Sequence, residues 1–213
     1  MNCKGIALVT GLLILAAISL IAVTAAGSMT MQRKQAANYH DKTVARANAE
    51  VAESWAKAWL FSRADIERQP SCTHGCILPI GIHLPGELPQ PVENKSLPWW
   101  SETALQPGSD PASGEQSSSP EATSFWVMEE IHFLQSEKTG GTSGSPGIGF
   151  YRIYSWGAGK HPRSTVVTES IVARPWHADL TPLTFPPSEP LTVFCRQFAP
   201  DIACGTVAWR QLK

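Results

Sequence analysis

The N-terminal part of the chain lacks both charge and proline. No charged residue occurs from Ile6 to Ala26, and no proline precedes Pro70. As a helix, the uncharged stretch spans about 31 Å, which is enough to cross a bilayer. With no proline to interrupt it, the helical signal continues beyond the apolar block. The sequence therefore predicts one long helix over residues 6–68, of which 6–26 is transmembrane.

The sequence also lacks the cleavage site that would make this block a removable secretory signal. The block is longer than an ordinary signal-peptide core, and no A-x-A-like site follows Ala26. The small residue placed for cleavage is Gly5, which follows Lys4 and precedes the block. Removal of a leader over residues 1–5 would leave the membrane helix on the mature protein.

Neither sign of charge is in excess. The formal net charge is −1, so nothing points to nucleic acid or an acidic membrane surface as a partner. The histidines are scattered along the sequence, and we find no catalytic constellation. The sequence therefore predicts a protein that is not an enzyme and has no cofactor.

Residues 27–68 are polar but keep a helical period. Small or apolar residues recur at spacings of three, four and seven, which places them on one stripe of a helix. The members of this stripe are Ala37, Val44, Ala47, Val51, Trp55 and Ala58. We expect this amphipathic stalk to pack on a sheet in the chain's own head domain.

The head begins with a connector rich in proline and serine, over residues 69–124. This composition predicts irregular structure with little core of its own. Trp99 and Trp100 lie inside it, and we favour packing of this pair on the head over a contact patch for a partner.

The rest of the chain, residues 125–213, contains runs typical of strands. Apolar residues alternate most clearly from Phe125 to Leu134. Further runs are Gly149–Trp156, Thr165–Ala173 and, shorter, Leu191–Phe198. One long helix followed by hairpin-linked strands predicts an α+β fold, with an antiparallel sheet laid on the helix.

Several segments resemble a known family. Lys4 and Gly5 before Ile6-Ala7-Leu8-Val9 resemble the prepilin-peptidase site of type IV pilins. Residues 37–42, Ala45 and residues 49–52 resemble the signature of PilX-type minor pilins. Residues 150–153, Gly157 and residues 166–170 resemble the strand pair that closes PilX heads.

The resemblance implies cleavage after Gly5 and N-methylation of Ile6. It implies a single-pass protein of the bacterial inner membrane with a periplasmic head, which later enters the pilus. The implied partners are the prepilin peptidase, the inner-membrane assembly platform, the major pilin and other minor pilins through the N-terminal helix, and a tip adhesin. The implied function is to prime or cap pilus assembly at the tip and to support adhesion and aggregation.

The sequence departs from the major-pilin pattern at the fifth mature position. Major pilins carry a glutamate there, which pairs with the terminal amine of the next subunit, whereas this chain has Thr10. A lone carboxylate in an apolar filament core is costly. Thr10 therefore indicates a tip or priming subunit rather than a repeating one.

The chain has five cysteines, of which Cys3 lies in the leader. Four cysteines in an exported head suggest two disulfides with three possible pairings. We favour the local pairs Cys72–Cys76 and Cys195–Cys204, because both loops are short and a C-terminal disulfide loop is what the resemblance to pilin heads implies.

Other interpretations fit less well. Cys72, His74, Cys76 and His83 have poor spacing for zinc, so no metal site is predicted. The string Gly141–Pro146 resembles a serine-protease nucleophile segment, but too few residues separate it from His74 for the fold that mechanism needs. A GspK-type type II secretion pseudopilin is the nearest alternative, and a signal-anchored periplasmic enzyme is the alternative from another class.

Overall fold

The computed structural model describes residues 4–64, 82–83, 91–109, 122–135, 147–161, 163–177, 179–186 and 188–213; within these, the side chains of 4–7 and 82–83 are not described. The chain divides into two compact units, Met1–Asp41 and Lys42–Lys213. The first contains the N-terminal part of helix α1. The second contains the remainder of that helix and the head.

Helix α1 runs from Lys4 to Ser62 and so ends before residue 68, the predicted end. Head residues bind one carbonyl group in the last turn of the helix and one just beyond its end. Leu183 donates its backbone N–H to the carbonyl of Phe61 (3.0 Å). Arg174 donates from its guanidinium to the carbonyl of Arg63. These bonds satisfy carbonyls that a longer helix would use itself, so tertiary contacts set where the helix stops.

The head contains a sheet with the strand order β1-β2-β3-β4-β5. Strands β2 to β5 are antiparallel neighbours, while β1 pairs parallel with β2. The strands are β1 (Ile82–His83), β2 (Ser124–Gln135), β3 (Gly147–Ala158), β4 (Thr165–Trp176) and β5 (Gly205–Gln211). Three of the predicted runs form β2, β3 and β4, and the predicted α+β fold is confirmed.

The fourth predicted run is wrong, because Leu191–Cys195 forms helix α3 instead of a strand. Pro190 precedes the helix with φ −70°. Phe194 is fully buried, whereas Val193 is exposed. The ring of Phe194 packs edge-on against Phe61, with ring centroids 4.9 Å apart. This contact with α1 outweighs the local alternation of apolar residues, which favoured a strand.

The predicted buried stripe of α1 is also wrong. Val51 is 46% exposed and Ala47 is exposed, and of the six stripe residues only Ala58 is buried. Four fully buried alanines, spaced by four, three and four, pack against the sheet instead: Ala45, Ala49, Ala52 and Ala56. The buried face is therefore shifted by about one residue, which turns the helix by about 100° from the predicted orientation.

Gly157 explains why alanines face the sheet. A Cβ added to Gly157 would lie 2.1 Å from the carbonyl oxygen of Ala45 and 2.4 Å from the backbone nitrogen of Ala49. Beside it, Asn48 donates from its side-chain amide to the carbonyl of Ala158 (2.7 Å). Backbone meets backbone here, so residues larger than alanine or glycine would hold the two elements apart.

The opposite face of the sheet is covered by part of the segment predicted to be an irregular connector. Residues 91–109 contain a 3₁₀ helix (Val92–Asn94) and helix α2 (Leu97–Thr103). Val92 and Trp100 are fully buried, as the packing interpretation of the tryptophan pair predicted. They join a cluster with Phe125, Val127, Tyr154, Trp156 and Val167. The expectation of little core was wrong for this part, because it supplies the apolar cover that a sheet with two apolar faces needs.

Candidate assembly segment

The N-terminal unit exposes its large apolar side chains. Leu8 is 71% exposed and Val23 also 71%. The others of this kind are Val9, Leu12, Leu13, Ile14, Leu15, Ile18, Leu20, Ile21, Met29 and Met31. The most apolar 18-residue window of α1 has a mean hydropathy of 2.5, so the helix is long and apolar enough to cross a membrane. Side chains of this kind need an apolar environment that this part of the chain does not provide for itself.

Hydroxyl groups in the same unit are bonded to the helix itself. Thr24 donates to the carbonyls of Leu20 (3.1 Å) and Ile21 (2.9 Å). Ser28 and Thr30 donate to carbonyls three residues back, at 2.9 and 2.8 Å. Polar groups satisfied in this way are tolerated in an apolar medium. These hydroxyls therefore do not oppose the transfer of the helix out of water.

The predicted processing site lies at the start of α1. The helix begins at Lys4, so the backbone of Gly5 and Ile6 is in its first turn. Thr10 lies about one turn further along and is exposed and uncharged. Cleavage after Gly5, methylation of Ile6 and the role of Thr10 stay predictions.

Of the two predicted disulfides, one lies in the described part of the chain. Cys195 and Cys204 are joined by a disulfide that links α3 to the residue before β5. Gly205 follows at φ +91°, a conformation that favours glycine. Cys72 and Cys76, together with His74 and the protease-like string, lie outside the described residues.

Sequence reasoning missed a buried arginine that fixes the end of α1 to β4. Arg174 is 1% exposed. Its guanidinium carbon lies 3.5 Å from the ring centroid of Trp176 and within 6 Å of those of Phe61 and Phe194. Such stacking, together with the bond to the carbonyl of Arg63, offsets part of the cost of burying the charge. Its one sequence signal is a charged residue within the otherwise apolar residues 171–176 of β4.

The flank of α1 next to β5 carries ordered polar contacts. The indole N–H of Trp209 donates to Glu53 (3.2 Å), which also pairs with Lys57. Arg210, the next residue of β5, makes two hydrogen bonds to Glu169 on β4, at 3.1 and 2.9 Å. The carboxylate of Glu169 raises the pKa of Arg210 above its usual value, chiefly through this hydrogen bonding. The pairing with Glu169 therefore favours the charged form of Arg210.

A family comparison bears on the N-terminal helix. The PilX N-terminal family model matches residues 4–54, from the first residue of α1 to the part that packs on the sheet. No curated protein and no solved structure matches the chain at a significant level. With its exposed apolar helix, the matched segment fits a membrane-anchored pilus subunit. Residues 4–54 thus match a PilX N-terminal domain, which supports a type IV pilin of the PilX type.

Proposed function

We propose that the protein is a minor pilin that primes or caps type IV pilus assembly at the tip and supports adhesion and aggregation there. The observation that carries the proposal is the neutral, exposed Thr10 within an apolar helix. A subunit that repeats along a pilin filament relies on a carboxylate at this position to pair with the terminal amine of its neighbour. A subunit without that carboxylate fits at the end of the filament, where no neighbouring terminal amine needs to be paired.

The proposal includes a path from membrane to pilus. The prepilin peptidase cleaves after Gly5, and Ile6 becomes the methylated N-terminus. The apolar side chains of α1 then hold the subunit in the inner membrane with its head in the periplasm. On assembly, the same side chains exchange lipid for the helices of the major pilin and other minor pilins, with no new apolar surface left in water. The assembly platform and a tip adhesin complete the set of proposed partners.

Substitution of Thr10 tests the tip assignment. Thr10→Glu supplies the missing carboxylate, so we expect several-fold more of the protein in sheared pili, spread along their length. Thr10→Ser is the matched control, since it keeps a neutral hydroxyl, and it should leave the protein scarce and terminal. Immunogold labelling and quantitative blotting of sheared pili measure both. If the unmodified protein were already spread along the shaft at the level of the major subunit, the tip assignment would be wrong.

Deletion of the gene tests priming separately. We expect a sharp fall in pilus number, restored by the wild-type gene, with the loss of cell aggregation following the loss of pili. Electron microscopy counts the pili, and a sedimentation assay measures aggregation. Normal piliation in the deletion strain would contradict the priming role.

A further inference from the structure

The sheet of the head has two different edges. At one edge, the two residues of β1 pair in parallel with β2, so the backbone of Met128 and Glu129 is already paired. At the other edge lies β5, and the described residues contain no strand beyond it. Every residue from Thr206 to Gln211 is exposed. An uncovered edge strand is a template for pairing with another chain.

The hydrogen-bond pattern shows which backbone groups of β5 face outward. Leu212, just after the strand, donates its N–H to the carbonyl of Val167 on β4 (2.8 Å). Alternate residues of an antiparallel strand turn their backbone groups to the same side. Ala208 and Arg210 therefore face β4, while the N–H and C=O groups of Trp209 and Gln211 face away from the sheet.

A bulge limits the open edge to its C-terminal half. Ile171 pairs with Ala208 and Val172 with Thr206, which leaves Val207 as an extra residue. Bulges interrupt regular pairing. Residues 208–211 remain as the regular part of the edge.

Two large apolar side chains are exposed along this edge, and one of them, Trp209, is held in place by polar contacts. Val207 is 57% exposed and Trp209 is 42% exposed. The indole of Trp209 is bound to Glu53 and lies 5.4 Å from the guanidinium carbon of Arg46. A large exposed aromatic that is already ordered loses little conformational entropy on binding. This is the arrangement expected of an anchor residue in an interface.

We propose that an extended segment of another pilus subunit adds to the sheet as a strand along residues 208–211 of β5, with an apolar side chain placed over Trp209. The occupant must be extended, because only an extended backbone pairs with the alternating groups of Trp209 and Gln211. That the donor is a pilus subunit rests on the proposed function.

Symmetry argues against a second copy as the donor. Antiparallel pairing of two β5 strands in one continuous sheet creates a two-fold axis perpendicular to that sheet. This axis reverses every direction in the sheet plane, including that of residues 42–62 of α1, which lie on the sheet. In the two copies, residues 42–62 would then run in opposite directions. Subunits that assemble side by side through α1, as the proposed function requires, have this segment in one direction, so a second copy does not fit.

Binding measurements on the full chain in detergent micelles test the proposal. The probes are the purified major pilin and the other minor pilins of the same pilus, each titrated separately. We expect one of them to bind and Trp209→Lys to weaken that binding at least tenfold. Gln211→Pro should also weaken it, because it removes an outward N–H while the bond to β4 is kept. Leu134→Lys is the matched control, since Leu134 is 49% exposed on β2, and it should leave binding unchanged.

Amide hydrogen exchange distinguishes strand addition from contact through side chains alone. In the complex, exchange at Trp209 and Gln211 should slow more than tenfold, whereas Ala208 and Arg210, which already face β4, should change little. The proposal is overturned if no subunit protects these two amides, or if the chain alone protects them at high concentration, which would make the occupant a second copy. Piliation of the deletion strain is measured independently, so failure of the tip role and failure of strand addition are separate results.

Discussion

Two parts of helix α1 use apolar residues in opposite ways. From Leu8 to Val23, the large side chains are exposed, with Leu20 at 70% and Leu8 at 71%. From Ala45 to Ala56, four alanines with no exposed surface pack against the sheet. Because large apolar side chains gain more from burial than alanine does, one would expect the large residues to be buried and the alanines exposed. The head therefore has small residues where α1 and the sheet approach closely, whereas the N-terminal part has large ones suited to an apolar environment outside the chain.

Substitution of Gly157, which lets α1 lie close to the sheet, should have the largest effect on stability. Gly157→Ala places a Cβ against the backbone of Ala45 and Ala49, which cannot give way as a side-chain end would. We expect a loss of about 3 kcal/mol in the free energy of unfolding. Denaturant titration of the protein in micelles, followed by tryptophan fluorescence, measures it. The control is Gly27→Ala, where an added Cβ meets nothing within 4 Å.

The two glycines should respond with opposite signs. Because alanine favours helix over glycine by about 1 kcal/mol, Gly27→Ala should not lower stability. If Gly157→Ala were equally well tolerated, the helix and sheet would not be as close as the structure has them.

The second effect concerns the two faces of the helix within the head. Ala49→Leu inserts a large side chain between α1 and the sheet, and we expect a loss of about 2 kcal/mol. Ala47→Leu makes the same change two residues earlier at an exposed position. That change should fall within about 0.5 kcal/mol of wild type. If Ala47→Leu lowered stability more than Ala49→Leu in the same unfolding assay, the face of α1 predicted from the sequence would be the buried one after all.

Sequence patterns predicted the parts of the fold that depend on local chemistry. The uncharged block, the absence of proline and the alternation in β2 each repeat over many residues, so the long helix and three strands could be predicted. The processing site and Thr10 could also be named, because they depend on position along the chain and need no tertiary contact.

The rest depends on partners distant in sequence. The buried face of α1 is chosen by Gly157, about a hundred residues away, and alanine has too little hydrophobic contrast to mark that face. Helix α3 forms where local alternation favoured a strand, because Phe194 packs on Phe61. β5 escaped prediction because it is short and exposed, so it has no apolar alternation facing a core.

The smallest predicted effect on stability concerns polar groups that are buried where α1 and the sheet lie close together. Thr168 is 1% exposed and lies on the same face of β4 as Val166 and Val172, towards α1. Among the described residues, its buried hydroxyl has no hydrogen-bond partner, and the same holds for Ser155 and Ser170. Burial of an unpaired hydroxyl costs about 1–3 kcal/mol. Small polar residues at this site therefore lower stability while they keep the interface thin.

Thr168→Val removes the hydroxyl and keeps the shape of the side chain, so the free energy of unfolding should rise by about 1 kcal/mol. Thr206→Val is the control: Thr206 is exposed on β5, its hydroxyl remains in water, and stability should stay within about 0.5 kcal/mol of wild type. Both are measured by the denaturant midpoint at constant slope. A loss of stability at position 168 would mean that the hydroxyl does bind a partner beneath the helix. The head would then have selected small residues there for a polar contact as well as for close approach.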